Sequence, residues 1–274
     1  MPLTLATISP GEPEIFASFQ GEGPSAGKAC AFIRLSRCNL ACTWCDTAYT
    51  WHFTGDTRPH RSGETFDRVA NQVTLSERSA SERIAALGQD RLVITGGEPM
   101  MQAPALAKML ELLRELHQCE SQRRLGPQAA GATPVERGPS IRWDSLHIEI
   151  ETNGTVSPHP ALDRFVDQYN VSPKLAHSGN PADLALIPGR LGHWASEPRA
   201  FFKFVIAEPF DIDEVLVLAE RHSIPRTRIW LMPEGTDNET LHAREKWLGP
   251  LCERHGFSLS HRLHIEKFGD TRGT

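Results

Sequence analysis

The chain has 274 residues, 39% hydrophobic and 23% charged, enough to build a full-sized core in a soluble globular fold. Its net charge of −5 supplies no electrostatic footprint for nucleic acid or an acidic membrane surface. Residues 1–13 hold no Lys or Arg and no apolar segment of signal-peptide length, and no apolar run approaches the roughly 20 residues of a membrane span, so a cytoplasmic protein is expected.

In chain order, the first core strand is expected over 31–36. A polar stretch at 54–81, with Gly55, Pro59 and Gly63 early in it, reads as a surface insertion. A second strand is expected over 91–95. The helix over 104–118 follows, with Pro104 suited to its first turn and Leu106, Met109, Leu110, Leu113 and Leu116 on one face. The next stretch, 119–142, carries Gly126, Pro127, Gly131, Pro134, Gly138 and Pro139 and reads as a second insertion. Strands are expected over 146–150, 201–206 and 228–232, a short helix over 163–169, and a longer one over 213–222 with Val215, Leu216, Leu218 and Ala219 along it. Strands alternating with helices imply an α/β fold with a mainly parallel sheet. The expectation is one domain, 1–274, with two insertions.

Of six cysteines, Cys38, Cys42 and Cys45 fall within eight residues, whereas Cys30, Cys119 and Cys252 are scattered and are assigned nothing. Clustered thiols in a reducing compartment read first as metal or cluster ligands. Three thiolates on one loop hold three irons of a four-iron cluster and leave the fourth iron open to a reactant. The competing reading is a zinc knot completed by His52 or His60. A second motif, Thr95-Gly96-Gly97-Glu98-Pro99, follows the second strand; its glycines admit close approach of a ligand, and its carboxylate suits a ligand ammonium.

Together the Cys-x3-Cys-x2-Cys loop and the Gly-Gly-Glu-Pro turn resemble the radical S-adenosylmethionine superfamily, and this combination outweighs zinc. The flanking segments are more specific: Ser18 to Gly23, Phe32-Ile33-Arg34, Cys45-Asp46-Thr47, Glu151 to Thr155, Val171 to Lys174, Lys203 to Val205, Met232 to Gly235 and Arg262 to His264. In this order they resemble the 7-carboxy-7-deazaguanine synthase family over nearly the whole chain outside the two insertions.

That resemblance implies a modified, incomplete (β/α) barrel of TIM type. It implies conversion of 6-carboxy-5,6,7,8-tetrahydropterin to 7-carboxy-7-deazaguanine with loss of ammonia, begun by hydrogen abstraction at C6. It implies a [4Fe–4S] cluster on Cys38, Cys42 and Cys45, S-adenosylmethionine, and magnesium on Thr47. It assigns substrate contacts to Phe19, Gln20, Gly21, Glu22, Arg34 and Thr95. Trp44, Cys45, Asp46, Gly97, Glu98, Ser172, Pro173, Lys174 and Glu234 are assigned to S-adenosylmethionine. The partners it implies are the pterin, an electron-donating reductase or flavodoxin, and a second copy in a homodimer, with no nucleic acid or membrane.

Singly, each of these residues has a plainer reading. Glu22 suits a surface turn, Arg34 a solvated strand edge, Thr47 a cap, Glu151 to Gly154 a turn, and His264 a structural role. Another radical enzyme such as a glycyl-radical activase, and a non-enzymatic zinc or iron–sulfur module, are the rival functions. Four departures from the family stand out: Arg37 where glycine is usual, the insertion at 54–81 directly after the cluster loop, the length of the second insertion near 119–142, and a chain that runs past His264.

Overall fold

The computed structural model describes residues 2–125 and 146–274. Strands β1 (Leu3–Ser9), β2 (Glu12–Pro13), β3 (Ile15–Phe19), β4 (Ala29–Leu35), β5 (Gln72–Leu75), β6 (Arg91–Gly96), β7 (His147–Thr152), β8 (Gln168–Val171), β9 (Ala200–Ile206), β10 (Ile229–Pro233) and β11 (Ser258–Leu259) form one sheet. The helices are α1 (Arg68–Asn71), α2 (Glu77–Ala86), α3 (Ala103–Leu125), α4 (Pro160–Asp163), α5 (Ala182–Ala185), α6 (Pro188–Ser196), α7 (Asp211–Arg221), α8 (Asn238–His255) and α9 (Leu263–Phe268).

From β4 the sheet runs in parallel through β6, β7, β8, β9, β10 and β11. β3 and β1 add to β4 antiparallel, and β2 and β5 add to β1. The path ends at β11 on one side and β2 on the other without joining, so the barrel is incomplete. Helices cover the outer face between successive parallel strands, as their connections require.

The two-residue period of the strands decides what each face is made of. Ile33 and Leu35 of β4, Leu92 and Ile94 of β6, and Ile148 and Ile150 of β7 point into the helix-side core. Tyr169 and Val171 of β8, Phe202, Phe204 and Ile206 of β9, and Ile229 and Leu231 of β10 join them there. The alternate residues, Phe32, Arg34, Thr95, Glu151, Asn170, Lys203, Val205 and Met232, line a cavity on the other face. A row of polar and charged side chains is thereby held on the concave side by an apolar layer behind it.

The five strands expected from sequence are present, each with one or two more residues at an end, and both longer helices are present as α3 and α7. The helix expected over 163–169 is absent. The stretch instead leaves α4 at Asp163 and enters β8, where Gln168 and Tyr169 pair with Glu149 and Ile150. Tyr169 is fully buried against Trp194, 4.9 Å away. Pairing between β7 and β9 together with this burial overrides a weak local helical spacing.

The segment 54–81 is only partly a surface loop. Its β5 pairs with β1 from Leu3↔Leu75 to Ala6↔Gln72, and Ala80 and Ser81 of α2 are fully buried. The Ser81 hydroxyl donates to the Met109 carbonyl at 2.8 Å, tying α2 to α3. The expected second insertion begins inside α3, which continues to Leu125, and residues 126–142 lie outside the described residues.

Arg37 occupies left-handed backbone with φ 77°, a conformation that costs a residue with Cβ roughly 1–2 kcal/mol. Its N–H donates to the Thr50 carbonyl at 2.7 Å, and its own carbonyl accepts from Glu98 N at 2.9 Å. A Cβ on Gly97 would stand 1.9 Å from that carbonyl, so the two loops touch backbone to backbone. Glycine's freedom at position 37 is thus a geometric need that arginine meets under strain. Arg37→Gly should leave thermal stability within about 1 kcal/mol, whereas Arg37→Val should lower it by about 1–2 kcal/mol through its branched Cβ. Equal melting temperatures for the two variants would remove the strain argument.

Candidate active site

The cavity lies at the carboxyl ends of the parallel strands, where α/β barrels place their sites. The loop after β4 brings Cys38, Cys42 and Cys45 into its wall, with Trp44, Asp46 and Thr47 between and beside them. Burial pushes the Cys38 thiol up to about 12 and the Cys45 thiol to about 11, and it raises Cys42 as well. Such thiols stay protonated until a bound cation replaces the proton.

Their spacing separates a cluster from a single ion. A tetrahedral zinc site brings thiolate sulfurs within about 4 Å of each other. Among the described residues the only trio of His, Cys, Asp or Glu donor atoms within 4.8 Å of one another is Glu245, His261 and Glu266, none of them on this loop. At least one pair of the three sulfurs therefore stands more than 4.8 Å apart, wider than a single zinc allows, and this fits a multi-iron group. Beside them the Trp44 indole N–H is buried and has no partner among the described residues. Trp44 stacks on His177 with ring centroids 5.5 Å apart, and Lys174 Nζ lies 5.7 Å from the indole. A flat wall, an unpaired donor and a nearby ammonium suit a polar ligand placed against the cysteine loop.

Another part of the lining is built of charge. Glu22 carries two cationic partners: Lys203 Nζ hydrogen-bonds Oε2, and Arg262 Nε reaches Oε1 at 3.1 Å. Burial alone would raise its pKa, but Lys203, Arg262 and His264 outweigh burial and hold the carboxyl ionised. Arg262 also pairs with Asp46, and its Nη1 donates to the Gly235 carbonyl at 2.5 Å. One guanidinium therefore joins the Glu22 carboxylate to the cysteine loop.

The neighbouring segment is equally constrained. Gln20 Nε2 donates to Glu149 at 2.9 Å and to Glu151 at 3.0 Å, while its Oε1 accepts from Glu22 N at 3.2 Å. Thr95 Oγ1 donates to the other Glu151 oxygen at 2.6 Å. A Cβ on Gly21 would stand 2.1 Å from His264 Nδ1, and Leu263 N donates to the Gly21 carbonyl at 3.1 Å. The start of α9 thus closes directly over the Gln20 to Glu22 segment. Arg34 lines the cavity with its Nε paired to Glu14 at 2.8 Å, and Glu14 also accepts from Tyr49 Oη.

The structure gathers Phe19, Gln20, Gly21, Glu22, Arg34, Trp44, Cys45, Asp46, Thr47, Thr95, Gly97, Ser172 and Lys174 around this one cavity. Ser172 Oγ accepts from Lys174 Nζ at 2.8 Å. Three expected contacts fall elsewhere. Glu98 is fully buried outside the wall, its carboxylate accepting from Asn153 N at 2.7 Å, Met100 N at 2.9 Å and Thr152 Oγ1 at 2.8 Å. It ties the loop after β6 to the loop after β7, and its oxygens are already engaged. Pro173 is buried behind Ser172 and Lys174. Glu234 lines an adjoining cleft shared with Trp44 and Asp46, and it pairs with Arg61 at 2.5 Å and Arg244 at 2.7 Å.

Lys203, Glu151, Asn153, Asn170, Tyr49, Trp51, Arg262 and the tail residues Asp270, Thr271, Arg272 and Thr274 also line the cavity and were not assigned to it from sequence. Lys203 carried a usable signal: it is the one charge within the apolar strand AFFKFVI, and a buried parallel strand rarely holds an unpaired lysine. The tail carried none. Arg272 lies 3.6 Å over the Tyr49 ring and donates to Asn71 Oδ1 at 2.8 Å, contacts between residues distant in sequence.

Residues 19–123 match the family model described as a 4Fe-4S single cluster domain. The 7-carboxy-7-deazaguanine synthase of Pyrobaculum aerophilum is 32% identical over 261 residues, covering 95% of both chains. That of Hyperthermus butylicus is 30% identical over 257 residues, covering 92% of this chain and 90% of its own. The crystal structure of QueE from Escherichia coli shares the fold, with a TM-score of 0.61 at 21% identity over 96% of this chain and 95% of that one. A cluster-forming cysteine loop facing a polar concave wall, and similarity to named synthases along almost the full chain, lead to one conclusion: this chain belongs to the 7-carboxy-7-deazaguanine synthase family.

Proposed function

We propose that this cavity takes 6-carboxy-5,6,7,8-tetrahydropterin beside S-adenosylmethionine and contracts the pterin ring to 7-carboxy-7-deazaguanine with release of ammonia. The observation that carries the reading is that one cavity gathers three buried thiols together with an ionised Glu22, Arg34 and Thr95. Cys38, Cys42 and Cys45 would hold a [4Fe–4S] cluster. When bound, that cluster supplies the electron that releases a 5′-deoxyadenosyl radical from S-adenosylmethionine.

The chain's own residues bind and orient. Glu22, kept anionic by Lys203 and Arg262, accepts from the N–H groups of the pyrimidinone ring. Arg34, oriented by Glu14, presents cationic charge to the substrate carboxylate. Gln20 and Thr95 are fixed by Glu151 and define the floor. Trp44, Asp46, Gly97, Ser172 and Lys174 form the S-adenosylmethionine side, with Lys174 near enough to meet its carboxylate. Phe19, packed on Phe268 with ring centroids 5.8 Å apart, closes the outer edge against water.

Magnesium would sit on the Thr47 hydroxyl with substrate and water completing its oxygen shell, since magnesium keeps several waters and few protein ligands. Thr47→Ala should weaken magnesium stimulation several-fold at unchanged iron content; an unaltered magnesium dependence removes Thr47 from that role. The reductant is taken to be a reductase or flavodoxin. The protein is taken to work in the cytoplasm; among the described residues no helix is long and apolar enough to cross a membrane. The unclosed sheet edges favour a homodimer; size-exclusion with light scattering giving a monomer at micromolar concentration would count against it.

The deciding experiment is anaerobic turnover of the reconstituted protein with S-adenosylmethionine, reductant, magnesium and the carboxylated pterin, followed by mass spectrometry. 7-Carboxy-7-deazaguanine with 5′-deoxyadenosine is expected. 5′-Deoxyadenosine alone would keep the radical chemistry and reject the substrate. Neither product, from protein holding four irons, would reject the enzyme.

A further inference from the structure

Two of the three cysteine sulfurs, those of Cys42 and Cys38, each have an amide hydrogen-bond donor supplied by a separate part of the fold. Asn180 Nδ2 stands 3.2 Å from Cys42 Sγ. Asn153 Nδ2 stands 3.9 Å from Cys38 Sγ. Thr47 Oγ1 lies 3.6 Å from Cys45 Sγ, where either atom can donate. Asn153 follows β7, and Asn180 lies in the connection between β8 and α5.

The two amides cannot be turned the other way without loss. Asn180 Oδ1 accepts from the backbone N–H of Ala41 at 2.8 Å, a bond only an oxygen can make. Its NH2 group must therefore face Cys42 and Ser178 Oγ, the latter at 3.1 Å. Asn153 Oδ1 accepts from Thr155 N at 2.9 Å and Thr155 Oγ1 at 2.6 Å, which directs its NH2 toward Cys38 and toward Asn39 Oδ1 at 2.9 Å. Backbone donors on the far side of each amide thus fix a donor on the sulfur side. Asn153 is placed in turn by Glu98, which accepts from its backbone N–H at 2.7 Å. This gives the buried glutamate of the Gly-Gly-Glu-Pro turn a positioning task.

We propose that Asn180, and more weakly Asn153, are positioning residues that raise the reduction potential of the group bound by Cys38, Cys42 and Cys45. A four-iron cluster gains one negative charge on reduction, and part of that charge resides on the thiolate sulfurs. A fixed N–H dipole aimed at a sulfur stabilises the reduced form more than the oxidised one, and hydrogen bonds to sulfur are among the determinants of cluster potential. Asn180 has the larger effect because its contact is the shorter by far. Both residues act through the thiolates and not on substrate. The inference rests on the cysteine loop being the cluster site.

The test is a redox titration of the reconstituted holoenzyme, without S-adenosylmethionine, monitored by the paramagnetic signal of the reduced cluster. Asn180→Asp keeps an oxygen for Ala41 N–H and replaces the donor at sulfur; Asn180→Leu removes both. A lowered potential is expected in both variants at full iron content, with a smaller lowering in Asn153→Leu. An unchanged potential in Asn180→Asp overturns the proposal, even if Asn180→Leu loses iron, because the side chain would then serve the Ala41 bond alone. A shift in Asn153→Leu larger than in either Asn180 variant also overturns it. Failure of the unaltered protein to bind four irons is a different result and sinks the cluster reading itself.

Discussion

Lys203→Met should cost turnover of the pterin at least about 100-fold, because a site whose anchoring carboxylate is misplaced by even an ångström loses that much. Lys203 and Glu22 are both nearly buried, with side chains 11% exposed. Removing one partner of a buried pair costs roughly 3–5 kcal/mol when the other charge is stranded. Here Arg262 remains on Glu22 at 3.1 Å, so the loss in stability should be smaller, about 2–3 kcal/mol. Adding Glu22→Gln to Lys203→Met should restore much of that stability by removing the stranded charge, and it should restore none of the turnover. Thermal unfolding and product assays on the two single variants and the double variant check this. Recovered activity in the double variant would mean Glu22 does not meet substrate.

The pH dependence of this pair has a definite sign. Burial works against charge on Glu22, but its cationic neighbours lower its pKa below the ordinary 4.5. Its contribution is therefore complete above pH 4.5 and fades as pH falls below that value. Burial likewise works against charge on Lys203, but Glu22, followed by Glu151, raises its pKa above the ordinary 10.5. That contribution is complete below pH 10.5 and fades only above it. Between these limits, stability from the pair should be flat, and Lys203→Met should shrink the acid-side fall assigned to Glu22, with Arg262 and His264 sustaining the remainder.

Cys42→Ala should reduce bound iron to near zero and abolish 5′-deoxyadenosine formation, since two thiolates do not retain a four-iron cluster in ordinary handling. Cys30→Ala should leave iron content unchanged. Cys30 is fully buried among Phe16, Phe32 and Val93 at the far end of β4, and burial pushes its thiol up to about 12. Cys252, buried in α8 with its thiol pushed up to about 11, should behave as Cys30 does. Iron analysis of the three variants after reconstitution distinguishes ligands from packing residues. A full four-iron complement in Cys42→Ala would remove the cluster assignment, and iron loss in Cys30→Ala would name a different ligand.

What could be read along the chain depended on how local its cause was. Short-range spacing determined the cysteine loop, the glycine turn, α3, α7 and the five main strands, because each rests on neighbours within a turn or a strand's length. The order of the family segments placed thirteen of the residues around the cavity without any knowledge of distance. Glu98 and Pro173 stand outside the cavity lining and Glu234 lines the adjoining cleft, because proximity in sequence to a ligand loop says nothing of which way a side chain turns. Glu98 points back into the protein, and its oxygens are spent on the loop after β7.

Only the tertiary structure decided the rest. Lys203 meets Glu22 across 181 residues, Arg262 meets it across 240, and Asn180 meets Cys42 across 138. No periodicity encodes such pairings; they exist because parallel strands bring their carboxyl ends together and the α9 segment folds back over Gly21. β8 belongs with them, since its strand form comes from the partners on either side and not from its own sequence. The sequence by itself determined the chemistry available, namely three thiols, a glycine turn and an arginine on a strand. The fold of the sheet and its loops around them decided which charges face inward, because burying an ion demands a partner that only the folded chain can supply.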